Sequence, residues 1–141
     1  YGRGPWESYI DRKSAAFNGI YSGKIADQYY PYVRPQESGN KTDVRWAKVT
    51  KKDGSGFTIQ AIDSYLQVNA LPYAPEQLTT GMEKKQAHSG ELEFDKNMHL
   101  HIDGFQMGVG GVDSWGQLPL PKYQLPYKSY SYSYRIVPFE K

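Results

Sequence analysis

Three groups of residues in this sequence could do chemistry: a carboxylate pair, a histidine set and a glycine-rich loop that ends in a tryptophan. Glu91 and Glu93 stand two apart in an alternating Glu-Leu-Glu-Phe run. On a strand their Cα atoms would lie about 6.8 Å apart on one face. Acid and nucleophile carboxylates of glycosidases sit about 5–9.5 Å apart, so the spacing invites the comparison. Those carboxylates must flank a bond, however, and a side-by-side pair on one strand cannot. The favoured reading is a solvated face with Leu92 and Phe94 turned inward. His99 and His101 also share a strand face, and His88 precedes them. Two imidazoles at that spacing can ligate a metal, but no third ligand stands at a supporting distance. They read as ordinary polar strand residues.

The glycine loop carries more information. Gly108-Val109-Gly110-Gly111 lacks the Gly-Lys-Ser/Thr ending of a phosphate loop, and no helix follows. What the glycines supply is a backbone able to take positive φ or to approach a neighbour closely. That backbone delivers Asp113-Ser114-Trp115, followed by Gly116. A tryptophan presented this way is an odd core residue, and loops on a rigid β scaffold commonly bind. Ligand contact and packing anchor both stay open for Trp115. No Ser-His-Asp grouping and no nucleophile elbow can be argued.

Composition narrows what surrounds these residues. The 141 residues suit one domain of ordinary size. There is no cysteine, which removes disulfides and thiolate zinc sites without choosing a compartment. Seventeen basic residues against fifteen acidic give +2, too even a balance to point to nucleic acid or a membrane surface. No apolar run approaches the ~20 residues of a membrane-spanning helix. The N-terminus has neither an initiator Met nor a signal pattern, and reads as cut from a longer chain. Thirteen Tyr, five Phe and three Trp, with many Gly and Pro, favour strands and hairpins over helices.

Periodicity agrees. The clearest strand is Ser129 to Val137, where Tyr130, Tyr132, Tyr134 and Ile136 share one face. Asp43 to Val49 alternates with Val44 and Trp46 on one side. A Lys52-Asp53-Gly54-Ser55-Gly56 turn follows, then Phe57 to Ile62, giving a hairpin. Tyr65 to Ala70, Glu91 to Phe94 and Met98 to Asp103 are further strands, the last with Met98, Leu100 and Ile102 facing in. Ala74 to Leu78 allows one helical turn with Pro75 at its start. The chain is expected to be extended around Pro31 and Pro35, and Leu118 to Pro126 to be a surface connector. The sum is an all-β antiparallel sandwich, or part of one.

Three ordered motifs then resemble a family. Tyr1-Gly2-Arg3-Gly4-Pro5-Trp6-Glu7-Ser8-Tyr9-Ile10-Asp11-Arg12 is similar to the Gly-Arg-Gly-Pro-x-Glu-Asn-Tyr-x-Asp-Arg motif of β-galactosidases in glycoside hydrolase family two. The stretch from Pro31 to Arg45 resembles their Pro-Tyr-x-x-Pro-Gln-Glu-x-Gly segment. Met107 to Trp115 resembles their Met-Gly-x-Gly-Gly-x-Asp-Ser-Trp loop. Order and spacing agree over essentially the whole chain. The resemblance implies that residues 1–141 are the second half of a C-terminal domain of the small-chain type, part of a galactose-mutarotase-like supersandwich. It also implies that the catalytic barrel, its two glutamates and its magnesium (Mg) and sodium (Na) sites lie elsewhere in a complete enzyme. No catalytic residue, cofactor or metal site is then expected here. Partners would be a galactoside and the rest of the β-galactosidase chain, in a bacterial cytoplasm or periplasm.

The resemblance carries one site residue over. The family's tryptophan stacks on sugar in the aglycone subsite, which would fall to Trp115, with Gly108, Gly110, Gly111, Asp113 and Ser114 supporting the loop. A sugar face covering ~50 Å² of indole would contribute about 1.3 kcal/mol, enough to tune affinity but not to break a bond. Arg3, Glu7, Tyr9, Asp11 and Arg12 read as scaffold, because a charged run beside Pro and aromatics can hold a loop through paired charges. There are departures. Trp6 stands where many members have His or Gln, Val112 replaces a commonly acidic residue, and His88-Ser89-Gly90 lacks a second His. They bear on which galactoside is bound. Two rival functions remain: a free carbohydrate-binding module, and a structural or assembly domain. Half a sandwich leaves an open edge and an apolar face, so the isolated chain is expected to self-associate.

Overall fold

The alternation from Asp43 to Val49 breaks at Arg45, and that break divides the fold. A computed structural model describes residues 1–33, 36–78 and 88–141, and it is built from short strands. They are β1 (Gly2–Gly4), β2 (Phe17–Gly19), β3 (Lys41–Val44), β4 (Trp46–Thr50), β5 (Gly56–Ala61), β6 (Leu66–Leu71), β7 (His99–Asp103) and β8 (Tyr134–Phe139). All pairings are antiparallel, in three sheets ordered β1-β2, β3-β6-β7 and β4-β5-β8. No α-helix occurs among the described residues, only 3-10 turns, one of them at Pro75–Leu78 where the sequence allowed it.

The run expected as one strand is therefore two, in different sheets. Asp43 takes φ 53 and the β3–β6 register shifts between Lys41 and Val44, a bulge that bends the chain. Arg45 then bonds outside both ladders: its N–H donates to the Tyr1 carbonyl and its carbonyl accepts from Ala61 N–H. Facing flips by one residue across this bend. Val44 faces the core as expected, but on β4 it is Ala47, not Trp46, that packs there. The β4–β5 hairpin forms as its turn predicted. Gly54 sits at φ 92, and the Asp53 carboxylate accepts from Ser55 N–H at 2.9 Å and its hydroxyl at 2.7 Å. Gly56 has no room for a Cβ against the Val49 carbonyl.

The core lies between the two three-stranded sheets. Val44, Ile59, Leu66 and Val68 are buried, flanked by Ala47, Phe57, Ala61, Leu100 and Ile102. Leu100 and Ile102 thus point inward as the alternation required. The opposite face of β6 is polar. Gln67 and Asn69 are buried there under the N-terminal segment, beside Ser8, Ser38, Asn40 and Thr42. Asn69 donates to the Ser38 carbonyl at 2.9 Å, and Ser8 and Thr42 share a hydroxyl bond of 2.9 Å.

Of the strand expected over Ser129 to Val137 only the second half forms, as the start of β8, and Ser129 to Ser133 alternates without joining a sheet. β5 ends at Ala61, opposite Tyr134, so the ladder stops there. The tyrosine hydroxyls instead donate to backbone carbonyls, Tyr130 locally to Pro126 at 2.6 Å and Tyr132 across to Ile102 on β7 at 2.9 Å. Glu91 to Phe94 is not a strand either. Ser89–Glu91 is a 3-10 turn whose Glu91 carboxylate caps His88 N–H. The Glu93 backbone is satisfied by Gln77, whose amide accepts from its N–H at 2.8 Å and donates to its carbonyl at 3.0 Å. A side chain has taken the place of a neighbouring strand. Leu118 to Pro126 is a connector with one turn at Pro121–Tyr123. Pro35 and its expected extended backbone lie outside the described residues.

Asp43 gathers the bend. Its carboxylate accepts from Arg3 Nε and from Lys13 Nζ at 2.9 and 3.1 Å. Burial alone would raise its pKa, but these two hydrogen bonds and positive charges outweigh burial and hold it below the ordinary value. A depressed folded pKa contributes stability that is present above the unfolded value near ~3.9 and fades as pH falls through the folded one. Asp43→Asn keeps a residue that tolerates positive φ and removes only the charge. It is expected to cost about 1.5–3 kcal/mol at neutral pH. The loss should shrink as urea melts are taken below pH 4; a constant loss would show that the pair is not its cause.

Candidate functional site

The N-terminal segment and the glycine loop, far apart in sequence, meet in the structure. Asp11 makes the junction. One carboxylate oxygen accepts from Val109 N–H at 3.1 Å and the other from Gly110 N–H at 2.9 Å. Two successive amides on one carboxylate are a charge-assisted anchor. Gly108 is needed beneath it, since a Cβ there would lie 2.6 Å from Asp11 Oδ2 and 3.0 Å from Tyr123 Cβ. Gly108 N–H also donates to the Tyr123 carbonyl at 2.8 Å, tying the loop to the connector.

Beyond the anchor the loop turns on its own residues. Gly110, Gly111 and Gly116 have φ of 78, 85 and 84, a conformation that favours glycine. Asp113 Oδ1 accepts from Trp115 N–H at 2.8 Å and Gln117 N–H at 3.3 Å, an Asx-type turn. The result holds Trp115 away from the body of the molecule, with 92% of its surface exposed. Among the described residues no packing partner covers this large apolar group. Ser114 lies exposed in the same turn.

Glu7 and Arg12 of the first motif pair with each other. The Glu7 carboxylate is nearly buried, with 12% of its side chain exposed, and accepts four hydrogen bonds. Arg12 and the Tyr32 hydroxyl share one oxygen; Gly39 N–H at 2.8 Å and the Tyr9 hydroxyl at 3.2 Å share the other. Burial first, and then the Glu7 charge, push the Tyr9 hydroxyl's pKa up, so it remains a donor. Gly39 is held at φ 79, and a Cβ there would meet the Gln28 carbonyl at 2.5 Å. Arg3, Glu7, Tyr9, Asp11 and Arg12 thus all hold other segments in place. Arg34 and Pro35 of the second motif lie outside the described residues.

The carboxylate pair and the histidines do not assemble. Glu91 caps a turn and Glu93 follows it in irregular chain, so they share no strand face. His99 and His101 do share a face of β7, and His99 Nε2 lies 2.9 Å from Asp95 Oδ2. Among the described residues no three His, Asp or Glu side chains converge as metal ligands would.

A cavity of about 510 Å³ opens on the other side of the Glu7 network, between the first motif and the turn at Ile25–Gln28. Trp6, Tyr30 and Tyr32 line it with Arg12, Lys41 and Asp27. The sequence does not announce it, because its walls come from three separate segments, and Trp6, Glu7 and Arg12 carried other readings. It does not include Trp115.

Comparison with known proteins follows the same motifs. A sequence model of the family described as "Beta galactosidase small chain" matches residues 1–136. A β-galactosidase of Priestia megaterium is 41% identical over 139 residues, which is 98% of this chain and 13% of that protein. β-Galactosidase BgaC of Bifidobacterium adolescentis is 39% identical over 128 residues, 89% of this chain and 12% of its own length. A β-galactosidase of Pseudoalteromonas haloplanktis is 35% identical over 132 residues, 94% and 12%. The chain spans about an eighth of the length of these curated relatives.

Proposed function

Because this chain belongs to the beta galactosidase small chain family, we propose that it works as the C-terminal part of a glycosidase that hydrolyses terminal non-reducing β-D-galactosides. In this reading it supplies one aglycone-side wall, Trp115, and neither the catalytic acid nor the nucleophile. The observation that carries the reading is the loop itself. An indole is held 92% exposed at the tip of a turn whose base is fixed by Asp11 and whose glycines at 110, 111 and 116 take the positive φ that glycine favours. An uncovered aromatic face is what a sugar ring stacks on.

A further feature supports a larger enzyme around the chain. Ile136 pairs with the buried Ile59 across the ladder and faces the same side, yet it is half exposed, as is Tyr134. That open apolar face is where the remainder of the sandwich would pack; without it, the isolated chain would cover the face by self-association.

Trp115→Ala in an active β-galactosidase that carries this chain tests the reading. Stability should stay within about 0.5 kcal/mol, as for an exposed surface residue. Affinity for glucose as acceptor should fall by roughly tenfold, the equivalent of about 1.4 kcal/mol, while hydrolysis with a good leaving group is little changed. Unchanged acceptor affinity would leave Trp115 without a sugar role. A loss of folding would make it a packing residue.

A further inference from the structure

The cavity behind the Glu7 network has the chemistry of a ligand site that is separate from the loop. Its volume of about 510 Å³ falls within the range of small-molecule pockets and has room for a mono- or disaccharide. Its aromatic walls are accessible: Trp6 is 68% exposed and Tyr30 57%. Tyr30 and Tyr32 lie against each other with ring centroids 4.5 Å apart, which stiffens that wall. Among the described residues nothing covers Trp6, which lies beside the nearly buried Glu7 carboxylate and in the resemblance stands where His or Gln is common.

The polar groups decide which ligand fits. Two cations, Arg12 and Lys41, face two carboxylates, Glu7 and Asp27, so the lining has no net charge. An anion would meet carboxylates, and a cation would meet ammonium and guanidinium. Hydrogen-bonding capacity is nonetheless unspent. Among the described residues the half-buried Lys41 ammonium donates only to the Gly39 carbonyl, at 3.0 Å. Arg12 uses a single nitrogen, toward Glu7 and Tyr32. Uncommitted donors beside carboxylate acceptors and flat apolar faces match a neutral ring that carries both hydroxyls and a C–H face.

We propose that the cavity bounded by Trp6, Tyr30, Arg12 and Lys41 is a second saccharide-binding site, in which the sugar stacks on Trp6 and its hydroxyls take the free donors of Lys41 and Arg12. It is independent of the role given to Trp115, and a sugar bound here is held, not cleaved. Affinity should be modest, in the millimolar range, because the cavity is broad and open to solvent.

The test is a titration of the full 141-residue chain with galactose, glucose and lactose, read on its three tryptophan indole N–H signals and by calorimetry. The Trp6 signal should move saturably with at least one sugar. It should do so equally in Trp115→Ala, which separates this site from the loop. Trp6→Ala and Tyr30→Ala, both at exposed positions that leave the fold intact, should each weaken the calorimetric binding about tenfold. Four results would overturn the proposal: no saturable shift of Trp6, binding lost in Trp115→Ala alone, binding unaffected by Trp6→Ala, or a response to sodium sulfate and not to sugar. The last would make the cavity an anion site.

Discussion

Glu7→Ala is expected to destabilise the chain by about 3–5 kcal/mol, the cost of removing one partner from a nearly buried ion pair. Four donors lose this acceptor at once: Arg12, the Tyr32 and Tyr9 hydroxyls, and Gly39 N–H. The hydroxyl of Tyr9, a residue buried at 4% exposure, is left with the Glu37 carbonyl at 3.3 Å, and Gly39 N–H is fixed by a backbone at positive φ. An ordinary domain has only about 5–15 kcal/mol in total, so the variant should sit near the edge of folding. The two partners are not equivalent: Arg12→Met leaves the nearly buried Glu7 charge to the Tyr32, Gly39 and Tyr9 donors, so it should cost about 1–3 kcal/mol, less than loss of the acceptor itself. Glu7→Gln keeps an acceptor oxygen and the shape, and should fall between the two. Urea melts of the three variants give the order. An Arg12→Met loss as large as that of Glu7→Ala would locate the stability in the ion pair rather than in the buried acceptor.

The sequence patterns that proved readable are those whose physical cause is local. The Lys52 to Gly56 turn dictates its hairpin because Gly54 and Asp53 determine the backbone by themselves. Leu100 and Ile102 face inward because strand alternation leaves them no other side. Ser129 to Ser133 alternates as well as any strand here, yet a strand also needs a neighbour, and β5 ends at Ala61. Nothing in the tyrosine pattern reports on that. Glu91 to Phe94 failed for a related reason, since Gln77, well before it in the chain, occupies its backbone. The break at Arg45 was hidden because Asp43 sits in the alternation like any polar strand residue. Only its partners Arg3 and Lys13 and its positive φ mark it as a bend.

The candidate site divides along the same line. The glycines and Asp113 declare a turn that presents Trp115, because each acts within a few residues of itself. The first motif was readable as scaffold from its charges and aromatics. What it scaffolds was not, because Asp11 and Gly110 are 99 residues apart. The cavity beside Trp6 is a product of the same long-range assembly. Its floor is Glu7, and Glu7 is where it is because Gly39 and Tyr32 are brought to it.

Asp11→Ala should therefore have the largest effect on function of any scaffold substitution. It removes the two-amide anchor of the loop while leaving Trp115 and every glycine in place. The stability cost should be about 1.5–3 kcal/mol, that of hydrogen bonds to a charged group. In an active β-galactosidase carrying the chain, the tip of the loop would then wander, and an indole that must be ordered on binding forfeits most of its contact. Acceptor affinity should fall about as far as in Trp115→Ala, by roughly tenfold. The double variant provides the decisive comparison. If Asp11 acts on the sugar only by positioning Trp115, Asp11→Ala adds nothing once Trp115 is gone, and the coupling between the two equals the full effect of either. Asp11→Asn keeps one acceptor oxygen and should recover part of the affinity. Additive losses in the double variant would mean that Asp11 acts on the sugar by a separate route, and the loop would lose its standing as the device that presents Trp115.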